Sequence, residues 1–144
     1  MRFLFFIMCL FPAAAFAQVE IENAWSRATP PGAKVAAGYL TIRNKSTAAD
    51  RLVGASSPAA ARVETHVNEK QGEVMRMREV KGYEVPAKGS FELKPGGAHL
   101  MLVDVRRPFK EGDRIPLVLR FQNAGEIKTE LEVKGLGAQK GHAH

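Results

Sequence analysis

Apolar residues along this chain recur in short runs with a period of two, and clusters of turn-forming residues separate the runs. The clearest run is 126–133, where Ile127, Thr129, Leu131 and Val133 alternate with Lys128, Glu130 and Glu132. A period of two sends alternate side chains to opposite faces of a strand, so one face is dry and the other wet. Similar runs read "VEIENAWSRA", "AAGYLTIRN", "RLVGASS", "ARVETHV", "VMRMREV", "SFELKPGG", "AHLMLVDV" and "IPLVLRFQ". Between them lie "TPPGAK", "KSTAAD", "NEKQGE", "KGYEVPAKG" and "NAG", rich in Gly, Pro, Asn and Lys. No convincing amphipathic helix, internal repeat or second domain interrupts the series. Many short strands at this spacing predict one all-β sandwich or barrel.

The first residues follow a different pattern. In "MRFLFFIMCLFPAAAFAQ", Arg2 precedes an apolar core from Phe3 to Phe11, Pro12 breaks it, and Ala15-Phe16-Ala17 is a small-x-small cleavage signal. Phe3 to Ala17 is 15 residues, short of the roughly 20 that span a bilayer. The expectation is a secretory signal peptide at 1–17, cut after Ala17, with no membrane insertion afterwards. Cys9 sits inside the apolar core without small residues before it, which argues against a lipid-anchored start. The mature domain then runs over 18–135, and 136–144 is a Gly-rich tail ending in His142 and His144. Chain ends of this kind are expected to be mobile.

Export changes how charge and cysteine are read. The chain of 144 residues has a formal charge of +6; losing Arg2, with no acid among residues 1–17, leaves +5. In the cytosol such a charge would raise nucleic acid as a partner. Here no basic run with interleaved aromatics appears, and an exported protein does not meet nucleic acid. The one cysteine leaves with the signal peptide, so the mature domain has no disulfide and rests on its apolar core. It also has no thiolate for catalysis or metal, and no carboxylate constellation stands out, so an enzyme is not expected.

The remaining soft and nitrogen donors are clustered. The mature methionines are Met75, Met77 and Met101, and the histidines are His66, His99, His142 and His144. Parity places His66 on the face of its strand opposite Val63, Thr65 and Val67. Met75 and Met77 share a face, and so do His99 and Met101, opposite Leu100 and Leu102. Residues two apart on a strand are separated by about 6.6 Å. Three neighbouring strands would therefore converge two imidazoles and one or two thioethers on one point. Taken singly, each residue reads as an ordinary surface or packing side chain; it is the clustering that points to a metal. Thioethers are neutral, soft ligands that select Cu(I) over zinc, calcium or magnesium.

The spacing also resembles a known family, the periplasmic copper chaperones called PCu(A)C. Their signature is a His, ten residues, a Met, twenty-one residues, then His-x-Met. His66, Met77, His99 and Met101 fit it without gap or substitution. The flanks "SRATPPGAKVAAGYLTIRN", "DRLVGASSP", "GGAHLMLVDVRRPFKEGD" and "IPLVLRFQNAG" have the same character. The resemblance covers about residues 24–133. It implies a cupredoxin-like Greek-key β-barrel and Cu(I) held by His66, Met77, His99 and Met101. Met75 would be a neighbour that shields or replaces Met77, and His142 and His144 a secondary Cu(II) site. It further implies a monomer in the periplasm that delivers copper to the CuA centre of a respiratory cytochrome oxidase, alongside Sco-type thiol proteins. The ligands are expected near one end of the barrel, on loops and strand ends. An electron-transfer cupredoxin is excluded, because a blue-copper site needs a Cys thiolate. A copper-sequestering or tolerance protein, using the same site without a dedicated acceptor, is the alternative.

Overall fold

The computed structural model describes residues 18–137. The expectations for residues 1–17 and for His142 and His144 lie outside the described residues. The described chain is all-β, with no helix. Its strands are β1 (Val19–Arg27), β2 (Val35–Asn44), β3 (Asp50–Ser56), β4 (Ala60–Gln71), β5 (Val74–Glu79), β6 (Tyr83–Val85), β7 (Ser90–Leu93), β8 (His99–Val105), β9 (Arg114–Phe121) and β10 (Gly125–Lys134).

Seven of these strands close a barrel. The ring runs β4-β8-β2-β1-β10-β9-β3 and returns to β4 through the pair Ala55 and Val63. All neighbours are antiparallel except β1 and β10, which run parallel. Three strands lie off the ring: β5 extends the sheet beyond β4, β6 pairs with β3, and β7 pairs with β2. Closure removes the free edges that an open sheet would expose; among the described residues β5 is left at one end of the sheet path.

The alternation seen in sequence fills the barrel. Leu117, Leu119, Leu131, Leu100, Leu102, Leu40 and Ile42 are essentially inaccessible. Burying each such side chain contributes about 1.5–3 kcal/mol, and no disulfide is available to add to it.

Two features depart from the expected strands. "NEKQGE" is a continuation of β4 rather than a linker: β4 reaches Gln71, and Gly72-Glu73 turns directly into β5. Gly72 has φ +64°, the positive value that a two-residue hairpin of the II′ kind needs at its first position. Within "KGYEVPAKG", Tyr83–Val85 forms the short strand β6. Gly82 before it has φ +102°, and a Cβ there would lie 1.8 Å from the Leu52 carbonyl oxygen. Gly82 thus fixes where Tyr83 enters the core.

Gly82→Ala is expected to destabilise the domain by about 1–3 kcal/mol from the backbone conformation alone, and further through the clash. Urea unfolding measures this, and an unchanged midpoint would contradict the assigned role of Gly82.

Candidate metal centre

The site is built on register. β4 and β8 pair so that His66 stands opposite His99 and Glu64 opposite Met101. β4 and β5 pair so that Asn68 faces Met77, Lys70 faces Met75, and His66 faces Glu79. Directly opposed residues in an antiparallel pair point to the same side, as do residues two apart along one strand. Hence His66, His99, Met77 and Met101 share one face of three adjacent strands, together with Glu64, Glu79 and Met75. The other face carries Val63, Thr65, Leu100 and Leu102 into the barrel. The four candidate ligands therefore lie on the outer face of the barrel wall and its β5 flange. His99 is a strand end, but the others sit within strands and none is on a loop, unlike the expected loop-and-strand-end cluster.

Close contacts confirm the convergence of three of the four. The His66 and His99 rings lie 5.6 Å apart between centroids. His99 Nε2 is 3.0 Å from Met77 Sδ. Met101 is half-buried, two residues from His99 on the same face. Exposure is graded: His99 is 5% exposed and Met77 54%, while the His66 side chain is 13% exposed. Met75 lies one row further out, opposite Lys70, and is exposed.

The hydrogen bonds decide which nitrogens carry lone pairs. His66 Nε2 lies 2.8 Å from Glu64 Oε2. A carboxylate accepts, so Nε2–H donates and Nδ1 of the neutral ring keeps its lone pair. That Nδ1 is buried and is the single buried side-chain nitrogen or oxygen among the described residues without a hydrogen-bond partner. A native orphan of this kind calls for an explanation, an ion among them. In His99, Nδ1 donates to the Gly97 carbonyl at 3.1 Å, which leaves the Nε2 lone pair facing the Met77 sulfur. Burial lowers the His99 pKa below its ordinary value, and the neighbouring His66 adds to this against the opposing Gly97 bond. The His99 Nε2 lone pair and the Met77 sulfur thus face each other with no proton between them. A soft cation relieves that arrangement, and a nitrogen–thioether donor set fits Cu(I).

Two supporting residues were not assigned from sequence. Glu64 orients His66 and is itself held by Arg62 Nε at 2.7 Å. Its carboxyl is lowered below the usual carboxylate range, chiefly by the Arg62 bond and next by His66. A carboxylate behind a ligating imidazole fixes its tautomer and raises its basicity. The E-x-H spacing, which puts both side chains on one strand face, is the signal that could have found it. Tyr83 lies behind the site, where its hydroxyl donates to the His66 carbonyl at 2.6 Å and the His99 carbonyl at 2.7 Å. Burial pushes the Tyr83 pKa up to about 12, against the lowering effect of those bonds, so the phenol stays a donor at neutral pH. Among the described residues no three His, Cys, Asp or Glu side chains form a metal set.

Comparison with known proteins agrees with this architecture. The family model described as "Putative lipoprotein LpqE-like" matches residues 19–133. The chain belongs to the LpqE-like family. It is 31% identical over 117 residues to the "Putative lipoprotein Lxx21020" of Leifsonia xyli subsp. xyli, covering 81% of this chain and 69% of that protein. Its fold is that of PCuAC domains. The copper-bound PCuAC domain from PmoF2 superposes with TM-score 0.72 at 26% identity, covering 84% of this chain and 96% of that one. The solution structure of CuI-DR1885 from Deinococcus radiodurans gives TM-score 0.66 at 30% identity, covering 85% and 81%. These likenesses support the cupredoxin-like barrel assignment for this LpqE-like chain.

Replacing Tyr83 with Phe removes the donor shared by the two histidine carbonyls and keeps the ring, which stacks on Phe91. The expected loss is about 1–3 kcal/mol of stability with the fold retained. Equal urea midpoints for the two proteins would show that the hydroxyl bonds carry no weight.

Proposed function

We propose that this LpqE-like domain is a Cu(I) chaperone of the cell envelope, with copper as its cargo. His66 through Nδ1, His99 through Nε2, and the sulfurs of Met77 and Met101 hold the ion. The observation that carries this reading is the pair of ring nitrogens left without an acceptor, His66 Nδ1 an orphan and His99 Nε2 3.0 Å from the Met77 sulfur, with no cysteine among the described residues. The two solved structures named above, both copper-bound by name, support it.

The ligands are neutral, so Cu(I) binding moves no proton at the thioethers. A thiolate acceptor offers anionic soft sulfur, the stronger ligand for Cu(I), and metal passes to it downhill. Glu64 keeps His66 oriented while the set exchanges. The exposure of Met77 favours delivery over sequestration, because a store gains nothing from an open sulfur that can oxidise. We assign the acceptor as a dithiolate copper site in the envelope, the CuA domain of an oxidase, with Sco-type thiol proteins as companions. The lipoprotein names of family and relative support export; cleavage after Ala17, in place of lipid attachment, is part of the proposal. A weaker Cu(II) site at His142 and His144 is a further part. A binding carrier, monomeric and not an enzyme, needs none of the catalytic constellations that the sequence lacks.

Titration of the mature protein against a competing Cu(I) chelator is expected to give one tightly held ion. Met77→Leu keeps the volume and should cost more than about tenfold in affinity, the lower range of what even supporting residues contribute at metal sites. Loaded protein mixed with an apo CuA domain should then lose its copper to that domain. Equal preference for Zn(II) would overturn the copper assignment, and retention of Cu(I) beside the apo acceptor would favour sequestration.

A further inference from the structure

The β5 flange carries a second thioether that the resting site does not use. Val74, Met75 and Met77 account for half of the large hydrophobic side chains that are exposed among the described residues. Arg76, Arg78 and Glu79 blunt this edge strand with charge in the usual way, yet the three apolar side chains beside them are left exposed. Alternation divides the three residues: Met75 and Met77 point to the face of the metal centre, Val74 to the opposite face.

Met75 is 56% exposed. It lies one strand row beyond Met77, about 6.8 Å away between Cα atoms, and a methionine side chain has three rotatable bonds with which to swing across that gap. Charge along the face differs between the rows. His66 stands opposite Glu79 and bonds Glu64, whereas Met75 stands opposite Lys70. A monovalent cation is favoured beside the carboxylates and disfavoured beside the ammonium. Met75 therefore stands where Cu(I) can be touched but is not kept.

We infer that Met75 is a transit ligand, which takes Cu(I) from the resting site during release and uptake; this rests on the Cu(I) reading above. In the step, a bond from copper to the Met75 sulfur forms and a bond to a buried imidazole nitrogen breaks. The freed nitrogen keeps its lone pair. No electron or proton moves, because a thioether is neutral both free and bound. Copper is then held through the two exposed sulfurs of β5, where an incoming ligand reaches it without entering the space around His99.

The experiment separates rate from affinity in the mature full chain. Cu(I)-loaded protein is mixed with excess bicinchoninate and the coloured chelate is followed in time, while the affinity is taken from an equilibrium titration. Met75→Leu is expected to slow transfer by about tenfold, the effect of one lost contact in an exchange barrier, while the affinity moves less than about twofold. Val74→Ala, on the opposite face of the same strand, is expected to leave the rate unchanged. Transfer by Met75→Leu at the wild-type rate would overturn the inference. Equal slowing by Val74→Ala would overturn it too, since β5 would then act as an apolar docking surface rather than through sulfur. A several-fold affinity loss in Met75→Leu would make Met75 a resting ligand, and failure of the unsubstituted protein to bind Cu(I) would remove the underlying reading itself.

Discussion

The hydroxyl of Tyr83 donates to the carbonyls of His66 and His99 together, which is possible only because those residues stand directly opposite each other across β4 and β8. That register organises the outer face. A slip of β8 by one residue would turn His99 toward the barrel and Leu100 and Leu102 toward water, and would part the two imidazoles. The alternative is costly in either direction, since Leu100 and Leu102 are fully buried and an imidazole in the barrel would lack partners. The apolar core thus holds a polar site in place, and Tyr83 ties the two together from the inside.

The electrostatics of the site follow from which groups are paired and which are not. Glu64 is held by Arg62, so its carboxylate orients His66. The Gly97 carbonyl does the same for His99. Each ring has one nitrogen fixed by a local acceptor; the other is buried without a partner in His66 and faces the Met77 sulfur in His99. Because the described residues 18–137 contain no cysteine, the soft character there comes from methionine alone. That choice keeps the donor set neutral.

Much of this was legible before the structure. Strand parity put His66 on a different face from Val63 and Thr65, paired Met75 with Met77, and paired His99 with Met101, and all of these hold in the barrel. Parity could not show that the three strands are neighbours; pairing β4 with both β5 and β8 is tertiary information. The extension of β4 past Val67 was missed for a physical reason. Residues 68–71 are held by the hairpin ladder with β5 and not by burial in the barrel, so hydrophobic periodicity is silent about them. Tyr83–Val85 was hidden in a turn-rich segment because a three-residue strand exists only through its pairing with β3. The parallel contact of β1 with β10 leaves no trace in a period of two. Glu64 was visible on the right face, but its role depends on which imidazole nitrogen bears the proton.

That protonation pattern is the centre of the account, and nitrogen-15 NMR of the imidazoles reads it directly. In the metal-free protein at neutral pH, His66 should carry its proton on Nε2 and His99 on Nδ1. One equivalent of Cu(I) should then shift His66 Nδ1 and His99 Nε2 together, leaving the other two nitrogens protonated. The opposite tautomers, or a Cu(I) titration that leaves both rings unmoved, would contradict it.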